Sequence, residues 1–120
     1  MFRLVIKRYE YGKTTPQESN GELVQSDIVI NEATVADMKD YLSQYEGQTM
    51  PFGNSEVNPN DYTTEDLVGS VVAHELTHAT DKNSNTVQNP DSTSVEREKK
   101  PRENQSKHLE EIKKKKEDEK

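Results

Sequence analysis

The most distinctive chemistry in this chain lies in His74-Glu75-Leu76-Thr77-His78, two histidines four residues apart with a glutamate beside the first. On an α-helix this spacing projects both imidazoles from one face, one turn apart, where they can share a metal ion. Glu75 is rotated by about a quarter turn from His74. That offset keeps its carboxylate out of the metal's ligand set yet near enough to take a proton from an activated water, the general-base role in peptide-bond hydrolysis. Zn2+ suits such a site because it brings a bound water's pKa to near neutrality and polarises a carbonyl. With three histidines in 120 residues, chance would place such a pentapeptide in about one sequence in a hundred of this composition, so its context matters.

A catalytic zinc site needs a third protein ligand and an open position. An extended motif with a third histidine six residues after the second would put His at 84 and Gly at 81, where this chain has Ser84 and Asp81. A carboxylate from a later helix is therefore the expected third ligand. The one other histidine, His108, lies in the highly charged C-terminal stretch and reads as a solvated residue before it reads as a ligand. Asp81, three residues after His78, is placed either to hydrogen-bond an imidazole N–H or simply to end the helix.

The elements that must hold these groups are legible in part. Thr63-Thr64-Glu65-Asp66 has the signature of a helix start, and Leu67, Val68, Val71, Val72, Leu76 and Ala79 give that helix a broad apolar face, with Leu76 and Ala79 as core anchors. Lys82–Asn85 stops it. Upstream, Phe2–Tyr9 and Glu22–Ile30 are rich in β-formers and predict strands, while Gly12–Asn20 reads as a loop. Val35, Met38, Leu42 and Tyr45 recur at steps of three and four and predict a helix over 34–45. Residues 47–61 read as an irregular connection with one short extended piece near Glu56-Val57. Downstream, a last helix starts near Ser92 or Ser94, with Pro101 bending it or forcing a later start.

The stretch Val71–Asp81 resembles the active-site helix of small gluzincin-type zinc metallopeptidases, among them minigluzincins and the short protease domains of bacterial effector toxins. The resemblance covers roughly residues 65–105, and its sharp part is the pentapeptide. It implies a zincin-like α+β fold: a small β-sheet packed on the active-site helix, followed by a second helix that supplies a glutamate within a Glu-x-x-small pattern. Val95-Glu96-Arg97-Glu98-Lys99 is the matching stretch, followed by Glu103-Asn104, similar to a Glu-Asn pair in the effector group. Glu96 fits that register and Glu98 is its rival. The chain departs from the pattern at Lys99, which stands where a small residue is expected, and at Pro101, inside the expected glutamate helix. What the resemblance implies is a peptidase with Zn2+ on His74, His78 and Glu96, Glu75 as general base, and a peptide or protein as substrate.

Composition sets the limits. The chain is 28% apolar and 32% charged, and from Lys82 onward its only aliphatic residues are Val87, Val95, Leu109 and Ile112. A single domain over 1–106 is expected, then a charged tail over 107–120 into which the last helix continues, aided by Glu110–Lys114 and Glu111–Lys115 pairs, with Lys113 to Lys120 solvated and frayed. Residues 1–95 hold 15 acidic and 6 basic side chains, an acidic body that argues against a nucleic-acid-binding face. No run is long enough for a membrane span, no export signal is legible, and a cytoplasmic location is the default expectation. Without cysteine, neither disulfides nor thiolate metal sites can reinforce the small core. Three functions compete: a peptidase, either active or latent under its own tail; an interaction protein that uses metal only as a staple; and a metal-free helical adaptor. Glu75 favours the first, since a staple has no use for a carboxylate there.

Overall fold

A computed structural model describes residues 11–119. The strand expected at Phe2–Tyr9 lies outside them. The fold is α+β, with two small two-stranded sheets and, among the described residues, three α-helices.

Strand β1 (Gly12–Ser19) pairs antiparallel with β2 (Glu22–Ile30). Here the structure corrects the sequence reading, which has a loop over Gly12–Asn20. The hairpin is closed by Asn20 and Gly21, both at positive φ, the Asn-Gly pair that two-residue turns favour because it matches strand twist. Burial along β1 alternates, with Gly12, Thr14 and Pro16 half-buried and Lys13, Thr15 and Gln17 exposed. Polar composition hid this period because the inward positions hold small or polar residues rather than aliphatic ones. Tyr11 accepts a hydrogen bond from the Asn31 N–H at 2.8 Å, which makes the odd-numbered residues of β1 the ones bonded to β2. Pro16 thus falls where its missing N–H costs no ladder bond.

Helix α1 (Glu32–Ser43) buries Val35, with Met38 and Leu42 packed beside it. Tyr45 lies beyond its end and is exposed, edge-on to Tyr41. The extended piece expected near Glu56-Val57 is one arm of a hairpin, β3 (Met50–Phe52) with β4 (Ser55–Val57), whose Met50, Phe52 and Val57 enter the core. At its tip Gly53 has φ +61°, and a Cβ there would stand 2.7 Å from both the Arg102 carbonyl and Ser106 Oγ. Only glycine lets this turn touch the last helix.

Helix α2 (Thr64–Thr80) opens with a complete capping box: Thr63 N–H donates to Asp66 Oδ2 at 2.9 Å, and Asp66 N–H donates to Thr63 Oγ1 at 3.1 Å. Leu67 and Val71 are buried, while Leu76, expected as an anchor, is 47% exposed. Helix α3 (Ser94–Asp118) is capped by Thr93 and continues through Pro101, which is buried in its interior. The helix runs on through the charged segment as expected, and it stays helical to Asp118 where fraying is expected from Lys113 onward: Leu109 is fully buried, Ile112 packs on the core, and Lys116 ion-pairs with Asp66 in the first turn of α2. Since the start of α3 meets the end of α2, the two helices run antiparallel, and residues 107–118 lead away from the histidines rather than over them.

Candidate metal centre

Helix α2 brings His74 and His78 together as the four-residue spacing requires, with ring centroids 5.1 Å apart. Glu98, from the second turn of α3, faces both. Its Oε2 lies 3.0 Å from His74 Nε2 and its Oε1 lies 3.0 Å from His78 Nε2. The sequence reading put Glu96 in this place, and the structure puts it elsewhere: Glu96 is exposed in the first turn of α3, its N–H bonded to Thr93 Oγ1. Two helical residues differ by about 200° in direction, so Glu96 and Glu98 cannot both face α2. Glu98 shares its face with Pro101, Gln105, Leu109 and Ile112, the residues by which α3 packs. The aliphatic pair Leu109 and Ile112 was the sequence signal for this choice, obscured by reading their segment as tail.

Both histidines are oriented by groups that motif spacing did not reveal. His78 Nδ1 lies 2.6 Å from the Ser84 carbonyl, and His74 Nδ1 lies 2.8 Å from Gln105 Oε1. A carbonyl oxygen only accepts, so each Nδ1 carries a proton and each Nε2 is turned toward Glu98. Asp81 does not touch an imidazole. Its Oδ2 accepts from Ser84 Oγ at 2.6 Å and its carbonyl accepts from Ser84 N–H at 3.0 Å, so it fixes the loop that presents Ser84 to His78. Asn104 donates to Thr77 Oγ1 at 2.8 Å, a further tie between α3 and the motif helix.

Glu75 is 5% exposed and stands just outside the cluster, its Oε2 4.0 Å from His74 Nε2. Thr14 on β1 holds it there, with Thr14 Oγ1 within hydrogen-bond reach of Glu75 Oε1 at 2.9 Å and of the Glu75 carbonyl at 3.0 Å. Gly12 is the other constraint, because a Cβ on it would come within 2.9 Å of Glu75 Cγ and of Val71 Cγ1. β1, which the sequence reading treated as loop, is therefore the element that positions Glu75. His108 joins none of this. It sits on the α2–α3 seam against Gly69, whose added Cβ would be 3.2 Å from His108 Nε2.

Charge at the centre is finely opposed. Burial raises the Glu98 pKa, but hydrogen bonds from His74 and His78, and then their charges, outweigh it and hold the carboxyl well below its ordinary range. For His78 burial lowers the pKa, and the Glu98 hydrogen bond, the Ser84 carbonyl and the charges of Glu98 and Glu75 together raise it.

No protein-family model matches this sequence. Neither a curated protein nor a solved structure is detectably similar to it.

The donor set fits a metal. His74, His78 and Glu98 each offer one atom, all within 4.8 Å of one another, and tetrahedral bonds of about 2.0–2.2 Å would separate such atoms by roughly 3.4 Å. The site sets two imidazole nitrogens against one carboxylate, each 3.0 Å from an oxygen of Glu98, a set of donors that one cation can bridge. The cleft over these atoms has a volume of about 1030 Å³ and is bordered by β1 on one side and the start of α3 on the other.

Proposed function

We propose that this chain is a zinc-dependent peptidase with a zincin-like fold, in which His74, His78 and Glu98 hold the metal and Glu75 is the general base. One observation carries the reading: a carboxylate from a separate helix closes on both Nε2 atoms, while the carboxylate within the motif is withheld by Thr14. A site built only to staple helices would need the first arrangement and not the second. When bound, Zn2+ would supply the Lewis acidity that makes a water nucleophilic near neutral pH and polarises the scissile carbonyl. The residues do the rest. Ser84 and Gln105 keep the imidazoles in the tautomer whose Nε2 can act as ligand. Thr14 leaves Glu75 Oε2 free on the side of the site, where it can take a proton from water and return it to the leaving amine. Such a transfer is favoured by the burial that fixes the carboxylate in one place.

β1 supports a peptide substrate. Among the described residues it pairs only with β2, and the backbone groups of Gly12 and Thr14 point away from that partner, available to an extended chain added at the edge. Among the described residues no helix is long and apolar enough to cross a membrane.

Metal analysis and a casein digestion test the proposal together. Native protein should carry about one zinc and cleave casein. His74→Ala and His78→Ala should lose both properties, and Glu75→Gln should keep zinc and lose cleavage. Zinc bound by an inert native protein would instead favour the staple; no zinc in any form would refute the metal centre.

A further inference from the structure

Resting on the peptidase reading, we infer that the cleft selects substrates bearing a carboxylate close to the scissile bond. The body of the chain is acidic, with 15 acidic against 6 basic side chains in residues 1–95, yet the cleft is not. Its lining holds three cations, Lys13, Arg97 and Arg102, and the acids there are Glu75 and Glu98. Both acids are already engaged. Glu75 is buried against Thr14, and each oxygen of Glu98 faces an imidazole. The charge left for a ligand is positive.

The three cations come from the two elements that border the centre, Lys13 from β1 and Arg97 and Arg102 from α3. Lys13 is exposed and makes no ion pair with any described residue. Arg102 is more than half exposed, and its nearest acid is Glu98 at 3.9 Å, a carboxylate already occupied. Arg97 is steadied by Nη1, which donates to the carbonyl and hydroxyl of Ser92, leaving the remaining donors of its fork. An arginine fork matches a carboxylate in shape as well as charge. The acidic body repels a long polyanion such as nucleic acid, so a compact anion within a peptide fits better. That anion is either an Asp or Glu side chain or the free C-terminus of the substrate.

The test uses zinc-loaded, full-length protein and peptides of one length that differ by Glu, Gln or Lys on either side of a common cleavable core, each with a free or an amidated C-terminus. Initial rates are read by mass spectrometry. Glu should exceed Gln roughly five- to tenfold in kcat/KM, and the margin should shrink with added salt. In Lys13→Gln/Arg102→Gln, with zinc content verified, the ratio should fall below about twofold. A preference abolished by amidation and indifferent to Glu or Gln would identify the free terminus as the carboxylate; the reverse pattern would identify a side chain. Cleavage of all peptides at equal rates would overturn the inference and leave the peptidase reading intact, as would a preference that survives when Arg97→Gln is added to the double variant, since the metal alone would then be left to attract the carboxylate. If no peptide is cut, anisotropy binding of the labelled Glu and Gln peptides decides. A Glu preference erased by the double variant would uphold carboxylate recognition while the peptidase reading fell, and equal binding would overturn it.

Discussion

Exchanging Glu98 for Gln, with Glu96→Gln beside it, tests the register on which the metal centre depends. Gln keeps the volume of the side chain and removes its charge. In the metal-free protein the change weakens two charge-assisted hydrogen bonds, each 3.0 Å to an imidazole. Because the side chain is 32% exposed, screening reduces their worth, and a loss of about 2 kcal/mol is expected. With zinc the difference widens. Loss of a group that merely supports a ligand costs about 10- to 100-fold in affinity, so loss of a ligand should cost at least about 100-fold. In saturating zinc that removes about 2.7 kcal/mol of metal-linked stability, or on the order of 10 °C in Tm for a domain of this length. Glu96→Gln touches only an exposed residue in the first turn of α3, so zinc affinity should hold and Tm should move by about 2 °C or less. Competition with a chromogenic chelator gives the affinities, and melting curves with and without EDTA give the linked stability. Equal losses in both variants, or a larger loss in Glu96→Gln, would refute the assignment of Glu98.

Gly12→Ala should push a methyl against Glu75 and Val71 at 2.9 Å, costing about 1–3 kcal/mol; zinc should remain while casein cleavage falls, as metal analysis and turnover on one sample would show. Leu109→Ala should destabilise by about 2–5 kcal/mol because the side chain is fully buried, and truncation after Ser106 should lower Tm in a thermal melt rather than release activity, since the removed helix packs on α2. Zinc affinity should climb with pH while His78 titrates: its raised pKa means a proton competes for Nε2 up to a pH above the ordinary imidazole range, so chelator competition should show the rise extending past about pH 6.5. In the metal-free protein the same pair has the opposite sign on each side. Stability from the raised His78 is lost as pH rises through its folded pKa, and stability from the depressed Glu98 is lost as pH falls through its own.

What the sequence alone determined is what local spacing can encode. The four-residue spacing of His74 and His78 places two imidazoles on one helical face, Thr63 and Asp66 start that helix, and the β-formers of Glu22–Ile30 make a strand, all without reference to distant parts of the chain. The choice of Glu98 was encoded too, in its phase with Leu109 and Ile112, but it becomes legible only once those residues are treated as packing rather than as tail. Tertiary structure alone decided the rest. Thr14 reaches Glu75 across 61 residues and Gln105 reaches His74 across 31, and neither residue type nor spacing announces such a meeting. These partners are small or polar, so they leave no hydrophobic period. Their positions follow from how β1 and α3 are docked by the burial of other side chains, Phe52, Leu67, Val71 and Leu109 among them, and the site inherits its geometry from that packing.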